Sequence, residues 1–301
     1  MSRSPETLTF GGQHAREAVG PAILLRPGQY RGLLTYVGLA CVVVFVLTPF
    51  LWMLLGSFKP TYELLQQQGQ TLWIAHPTLE NYQRLFQEYD FVRYFLNSLL
   101  VASCTATVAT SLSAFAGYSL ARFQFPGRGL FGVLILVTQM LPGIAIIIPL
   151  FIWFKQFQLI DTYWAMLIAY NAFAIPFSTW MLRGFFSSIP RELEEAALID
   201  GAGILAAFVK IIVPLSLPGL LATGIFAFIL SWHEFLFAVT FTSSADIRTL
   251  TVGIAAMRGK DVVDWGLLNA GVVITTIPVA LLFAFVQRYL VQGLTAGAVK
   301  G

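Results

Sequence analysis

The chain has 301 residues, of which 57% are hydrophobic and only 11% are charged, whereas a soluble domain carries about 25% charged residues. This composition predicts a polytopic membrane protein. The net charge of +3 argues against nucleic-acid binding, and the basic residues lie in short loops rather than in one patch. Cys41 and Cys104 both fall inside apolar runs, which indicates packing rather than a disulfide framework or a metal site.

Residues 1–31 are polar, and we interpret them as a mobile cytoplasmic segment. The first apolar run begins after Arg31 and lacks a small-residue cleavage pattern. It is long enough to cross a bilayer, so we expect a membrane anchor rather than a cleaved signal peptide.

Six apolar runs are each long enough to cross a bilayer, which takes about 20 residues. They cover residues 33–55, 94–120, 130–154, 163–182, 217–241 and 267–286. The sequence therefore predicts an all-α membrane protein with six transmembrane helices in a membrane domain of residues 32–291. A tail of residues 292–301 follows. With the N-terminus inside, eleven of the 18 Lys and Arg residues fall in inner segments, so the positive-inside rule favours cytoplasmic termini.

The second span carries small and hydroxyl residues at helical spacing, which predicts packing against other helices on most sides. The repeat consists of Ala102, Ala106, Thr110 and Ala114, with Ser103, Thr107 and Ser111 in a neighbouring stripe.

Prolines interrupt the third and fourth spans. Pro142 and Pro149 are expected to bend the third, and Pro176 the fourth. Such bends suit a bundle that changes shape, although they also occur in static membrane proteins.

A charged segment, residues 189–218, separates the fourth and fifth spans. Pro190 and the glutamates that follow it predict the start of a helix, because the helix dipole favours negative charge in the first turn. Gly201 and Gly203 are expected to end it after about eleven residues, roughly half of a bilayer span. This helix should therefore lie outside the lipid.

The predicted helix carries one stripe of mostly small side chains, with Glu195 beside it. This stripe would let another protein approach closely. It consists of Leu193, Ala196, Ala197 and Asp200. A second helix should present Ile204, Phe208, Ile211 and Ile212 on one face and lead to Pro214 and Pro218 at the entry to the next span.

The run EAALIDGA (residues 195–202), followed by IIVPLSLPG (residues 211–219), resembles the EAA loop of binding-protein-dependent ABC importer permeases. Pro190 and Phe208 match the sugar-importer branch. The resemblance implies a coupling loop, residues 183–215, that docks into a groove on a separate ATPase subunit. The implied coupling residues are Glu195, Ala196, Ala197, Asp200, Gly201 and Phe208. The alternative is an amphipathic cytoplasmic hairpin without a partner.

Three further segments bear on this resemblance. Residues 117–123 resemble the inner end of the second span in sugar importers. Residues 287–301 resemble the tail of the short permease subunit of maltose-type importers, where that tail reaches into the ATPase dimer. Without the resemblance, the tail would be interpreted as frayed chain. The loop of residues 242–265 corresponds to one that meets an external sugar-binding protein, or it is a solvated connector. Its charged residues include Arg248, Arg258, Lys260, Asp261 and Asp264.

The fifth span contains Glu234, the one acidic side chain within a predicted span. An ionisable group there costs a few kcal/mol and usually faces a cavity or a partner. Glu234 is thus a candidate ligand residue, or a hydrogen-bond anchor near the outer interface. Similar permeases carry a WNEF-like segment here, from which His233 departs. The residues expected along a substrate path are Asn97, Trp232, Glu234 and Asn269.

The chain lacks a GxxxxGK[ST] phosphate loop, so ATP and Mg²⁺ would bind on partner ATPase subunits, with no cofactor in this chain. HExxH and GxSxG motifs are also absent, and the three histidines are dispersed, so the chain is not expected to be an enzyme. A secondary transporter of a small polar solute is the alternative. It would need coupling residues near the midplane and usually a repeat of broken helices.

The resemblance therefore implies a subunit of an ATP-driven importer in the bacterial inner membrane. Its cargo would be a di- or oligosaccharide or a related polyol. Its partners would be a second permease subunit, an ATPase dimer and an extracytoplasmic sugar-binding protein.

Overall fold

The computed structural model describes residues 27–65, 72–258 and 263–298. Within these ranges the chain is built of α-helices and one π-helical segment, without a β-strand, which confirms the predicted all-α class. It divides into two compact units, Met1–Phe50 and Leu51–Gly301. The segment predicted at residues 1–31 lies mostly outside the described residues, and the first helix begins at Pro27.

The first part of the chain contains α1 (Pro27–Ser57), α2 (Thr61–Leu65), α3 (Glu80–Gln87), α4 (Phe91–Arg122), α5 (Arg128–Met140), α6 (Gly143–Gln156) and α7 (Tyr163–Ser188). The second part contains α8 (Glu192–Ile199), α9 (Ile204–Ala207), a π-helical segment (Phe208–Ile212), α10 (Val213–Leu215), α11 (Leu217–Trp232), α12 (Leu236–Phe241), α13 (Leu250–Ala256) and α14 (Trp265–Ala298). The helix α14 thus includes most of the predicted tail.

Four segments of the described chain are long and apolar enough to cross a membrane. They are Leu34–Ser57, Phe91–Arg122, Tyr163–Ser188 and Trp265–Gln287. The other two predicted spans belong to bent pairs of helices. Six crossings result only if each pair counts as one span, so the six-span topology stays a prediction.

The third predicted span is not one straight helix. It consists of α5 and α6, which meet at 97°. Pro142 has an extended backbone at this junction, where it cannot donate the N–H that a continuous helix needs. Pro149 and Pro176, in contrast, lie inside α6 and α7. Among the three predicted bends, Pro142 is therefore the one that separates two helices.

The fifth predicted span is also broken. The helical stretch Ile204–Leu215 meets α11 at 78°, and α11 ends at Trp232 rather than running to residue 241. Residues 233–235 then interrupt the helix before α12 begins. The predicted span of residues 217–241 therefore does not form one helix, since a break that includes His233 and Glu234 divides its apolar sequence.

The centre of the bundle is α4, which packs along α7 and α11. The predicted alanine-rich stripe lies in these contacts, and its two terminal residues, Ala102 and Ala114, are buried. The hydroxyl stripe beside it, in contrast, is exposed within this chain. Within this chain the first stripe is packed as predicted, whereas packing of the second stripe against another chain stays a prediction.

We call the end of the bundle that carries α8 the inner end, and the opposite end the outer end. At the outer end, Arg84 pairs with Asp264 at 2.7 Å, and the Thr61 hydroxyl donates to the same carboxylate. Burial alone would raise the pKa of Asp264, but these contacts and the Leu267 N–H hold its pKa below the ordinary value. Asp264 therefore fixes the predicted outer loop to its own chain.

The rest of this outer loop is partly structured. It contains α13, and Arg258 near the end of that helix is exposed. Lys260 and Asp261, which were also predicted to face an external partner, lie outside the described residues.

Candidate functional site

The helix α8 ends at the predicted glycine, but it begins at Glu192 rather than at Pro190 and is shorter than the predicted eleven residues. Glu192, Glu194 and Glu195 occupy its first turn, where the helix dipole stabilises negative charge. At the other end, the N–H groups of Gly201 and Ala202 donate to the carbonyls of Leu198 and Ala197. These two bonds form a Schellman motif, whose left-handed residue is usually glycine.

Gly201 adopts this left-handed conformation, with φ of +85°. A side chain at Gly201 would meet no atom within 4 Å. The backbone conformation, rather than a close contact within this chain, therefore accounts for a glycine at this position. The helix ends here because the backbone turns, and α8 is eight residues long.

Most side chains of α8 face away from the bundle. Glu194 is 8% exposed and is the one buried residue of the helix. Ala197 is half-buried, and the remaining side chains are exposed. The exposed side chains are Glu192, Leu193, Glu195, Ala196, Leu198 and Ile199.

Glu194 joins α8 to the inner end of α4. Its carboxylate accepts a hydrogen bond from the Tyr118 hydroxyl and forms an ion pair with Arg122, whose Nε lies 3.0 Å away. The same guanidinium donates to the carbonyl oxygen of Ile189, at 3.0 Å. Tyr118 and Arg122 lie one helical turn apart, so the end of one span holds both α8 and the chain that precedes it.

Phe208, predicted as a coupling residue, lies inside this joint. It is 3% exposed, and its ring centroid lies 4.5 Å from that of Tyr118. Phe186 of α7 contacts both rings, at 6.0 Å from Tyr118 and 6.1 Å from Phe208. We call Tyr118, Arg122, Glu194 and Phe208 the inner joint. The second helix keeps Phe208 and Ile212 buried, whereas Ile204 is half exposed, contrary to the predicted common face.

No role for Glu194 in holding α8 was predicted from the sequence, because the neighbouring Glu195 is the glutamate that belongs to the EAA-like motif. A signal was nevertheless available. Tyr118 and Arg122 are polar residues one turn apart at the end of a small-residue span, and buried donors of this kind require an acceptor. Glu194 is an acidic residue of the adjacent loop that can reach them.

The predicted path residues hold helices together at the outer end. The Asn97 amide nitrogen donates to the carbonyls of Asp246 and Arg248 at 2.8 and 2.9 Å, and its oxygen accepts from the Tyr163 hydroxyl at 2.8 Å. Trp232 is 1% exposed, and its indole N–H donates to the carbonyl of Thr275 at 3.1 Å.

Glu234 lies at the break between α11 and α12. Its carboxylate accepts the N–H groups of Phe237 and Ala238, at 2.9 and 3.0 Å. These donors are free N–H groups of the first turn of α12, so Glu234 caps that helix. This geometry favours the structural anchor among the two roles that the sequence left open.

Asn269, the fourth predicted path residue, packs against the last turn of α1. A methyl group at Gly56 would lie 2.5 Å from the side-chain nitrogen of Asn269, so the two helices approach closely at this point. The path role of all four residues stays a prediction.

A groove of about 460 Å³ lies between α4, α11 and α14. These are the second, fifth and sixth predicted spans. Its polar lining includes the exposed hydroxyls of Ser103 and Thr107, and its apolar lining includes Phe228, Pro278 and Leu282. None of the four predicted path residues lines this groove.

Residues 109–296 match the family model described as a binding-protein-dependent transport system inner membrane component. The chain belongs to this family, and it is a permease subunit of an ABC importer. It is therefore a transporter component and not an enzyme, and the family excludes the secondary-transporter hypothesis.

Three relatives span most of the chain. The trehalose/maltose transport system permease protein of Thermococcus litoralis is 36% identical and covers 92% of this chain and 100% of its own length. The trehalose transport system permease protein of Mycobacterium tuberculosis is 37% identical over 86% of this chain and 94% of its own length. The sulfoquinovosyl glycerol transport system permease protein of Agrobacterium fabrum is 36% identical over 89% of this chain and 94% of its own length.

The fold is also that of a solved transporter. A chain of a bacterial ABC transporter involved in the import of the acidic polysaccharide alginate matches with a TM-score of 0.76 at 21% identity. The match covers 89% of this chain and 99% of the other. It supports the architecture alone.

The inner joint predicts a specific loss when Glu194 is neutralised. Glu194→Gln should release α8 from the bundle, because Arg122 would remain buried without its counter-ion, at a cost of about 3–5 kcal/mol. Amide hydrogen exchange of residues 192–199 in the assembled importer should accelerate. Glu192→Gln, which removes an exposed carboxylate from the same turn, should leave exchange near the parental rate. Equal exchange in both variants would show that the ion pair does not hold α8.

The contacts of Glu234 predict that it acts through stability. Glu234→Ala removes both acceptors from the start of α12 and should lower the free energy of unfolding by about 1–2 kcal/mol. The thermal midpoint of the purified importer should fall while the KM for the transported solute stays within about twofold. A rise in KM without loss of stability would instead identify a ligand residue.

Proposed function

We propose that this chain carries sugar across the inner membrane as one of two permease subunits of an ABC importer. An ATPase dimer would bind ATP and Mg²⁺, and an extracytoplasmic protein would deliver a di- or oligosaccharide or a related polyol. The names of the relatives support a carbohydrate cargo, since they include trehalose, maltose and sulfoquinovosyl glycerol. Another solved match is an alginate transporter in complex with an alginate pentasaccharide-bound periplasmic protein, with a TM-score of 0.63.

The observation that carries the proposal is the division of α8 into an anchored and a free side. Glu194 anchors the helix to α4, whereas Glu195, Ala196 and the C-terminal Asp200 are exposed. A free face with a small residue and a carboxylate allows close approach and a charge-assisted contact from a partner. This arrangement supports docking of the ATPase subunit on α8.

In the proposed mechanism, closure of the ATPase dimer upon ATP binding displaces α8. Because the inner joint ties α8 to α4, that displacement would pull on α4, and α7 and α11 would follow through their packing. The bundle would then change from inward-open to outward-open as a rigid-body transition. This chain supplies motion and a path, while the energy comes from nucleotide binding on its partners.

The sugar path is proposed to lead into the groove between α4, α11 and α14. Ser103 and Thr107 would offer hydroxyls to the cargo, and Phe228 an aromatic face. Asn97, Trp232, Glu234 and Asn269 are proposed to shape the outer part of this path by fixing the positions of its helices.

The second permease subunit is proposed to cover part of the exposed hydroxyl stripe of α4. The last residues of the chain, 292–301, are proposed to approach the ATPase dimer, with α14 as their support. Both termini would then lie in the cytoplasm, on the side of the inner joint.

The proposed orientation predicts one-sided labelling. In a background that lacks Cys41 and Cys104, single cysteines replace the exposed Ser187 at the inner end and the exposed Ser243 at the outer end. An impermeant thiol reagent, added to cells whose outer membrane alone is permeabilised, should modify the Ser243→Cys chain alone. Modification of Ser187→Cys under the same conditions would show that the orientation is opposite to the one proposed.

The docking role of α8 predicts that Glu195→Lys uncouples the importer. Losing a charge-assisted contact to the ATPase costs about 2–5 kcal/mol, which is roughly thirtyfold or more in affinity. Co-purification of the ATPase with this chain, and its stimulation by the liganded binding protein, should therefore fall. The matched control is Glu192→Lys, an equal charge change one turn earlier on the same helix.

Membrane insertion should survive in both variants, because neither residue lies in a span. If Glu195→Lys assembles, hydrolyses ATP and transports sugar like the parent, α8 is a connector and the proposal fails.

A further inference from the structure

A pocket of about 490 Å³ opens between α5 and α7, beside the inner end of α4. Leu120, Val133 and Leu136 form apolar walls, and two arginines, Arg128 and Arg183, line the same pocket. Neither the inner joint nor the groove proposed for sugar includes it.

The two arginines are positioned by their own chain but lack a carboxylate partner within the described residues. The Arg128 Nε donates to the carbonyl of Leu120 at 3.0 Å, which uses one of its five N–H donors. The Arg183 guanidinium lies over the Trp180 ring, 4.7 Å from its centroid. In the part of the chain that the structure describes, no ion pair involves either guanidinium. Two cations thus line one pocket and can accept an anion from outside this chain.

Both arginines lie near helix ends at the inner end of the bundle, where we expect the bilayer to meet water. Arg128 is the first residue of α5, and Arg183 lies five residues before the end of α7. Long basic side chains at such positions extend their charges to the headgroup region. Gly132 lies below them and leaves room for about one methyl group, which would contact Arg183 at 3.9 Å and Trp180 at 4.0 Å.

We propose that this pocket binds one anionic phospholipid. Its phosphate would lie between Arg128 and Arg183, which can bind phosphate oxygens through paired N–H groups. An acyl chain would cover Val133 and Leu136 over the space left by Gly132. A soluble phosphate would satisfy the arginines but leave the apolar walls open, so the combination favours a lipid.

This pocket lies next to the inner joint. The carbonyl that holds Arg128 belongs to Leu120, two residues before Arg122 of the inner joint. The lipid would therefore rest on the same end of α4 that holds α8. This inference does not depend on which solute the importer carries.

Native mass spectrometry of the assembled importer tests the proposal, with phosphatidylglycerol as the probe and phosphatidylcholine as the neutral comparison. The parent should retain one phosphatidylglycerol per copy of this chain that the double variant Arg128→Gln/Arg183→Gln loses. The apparent affinity of the double variant for phosphatidylglycerol should be about tenfold or more below that of the parent, because two charged donors are lost. The control is Lys155→Gln, which removes an exposed charge at the outer end and should bind like the parent.

Gly132→Leu provides a second test that keeps both arginines. Its side chain should fill the space below them and also weaken phosphatidylglycerol binding, which an effect of charge alone would not produce. Inorganic phosphate and glycerol phosphate, added in excess, should not displace the lipid. If either displaces it, the site recognises free phosphate and the proposal is wrong.

Two further outcomes contradict the proposal. Unchanged phosphatidylglycerol binding in both the double variant and Gly132→Leu would exclude this pocket. A disulfide or bifunctional cross-link from Val133→Cys to another subunit would show that protein, not lipid, covers it.

Discussion

The buried contact of Glu194 with Arg122 and Tyr118 holds the inner end of the molecule together. Removing one partner from a buried ion pair costs about 3–5 kcal/mol, since the other charge remains without compensation. The contact is 3.0 Å long, and the side chains of Arg122 and Glu194 are 5% and 11% exposed. A helix of eight residues is too short to be stable in isolation, so α8 depends on tertiary contacts such as this one.

The inner joint separates two tasks that the sequence assigned to one motif. Glu195, Ala196 and Asp200 are exposed, whereas Phe208 lies among aromatic rings of its own chain. We therefore propose that the first three contact the partner and that Phe208 transmits the motion. The outer end follows the same logic. There the polar side chains of Asn97 and Glu234 bind backbone groups, and neither of them lines the groove between α4, α11 and α14 that we propose for the solute.

Local chemistry explains what the sequence could predict. Gly201 ended a helix because its backbone conformation suits few other residues, and Pro142 separated α5 from α6 because it lacks an N–H. Residue pairing was harder to predict. Asn97 donates to carbonyls about 150 residues away in the chain. Its residue type and its place in the sequence therefore could not show whether it anchors helices or binds a ligand. The 97° bend likewise depends on packing that no single proline specifies.

Pulsed electron paramagnetic resonance offers the most direct measurement of the central claim, that α8 and α4 move as one body. Spin labels at Ile199 on α8 and Leu112 on α4 replace exposed side chains. In the assembled importer, the distance between them should stay constant to within about 2 Å between nucleotide-free and ATP-bound states. A change of about 5 Å, one helical turn, would mean that α8 moves independently and that the inner joint does not couple it to the bundle.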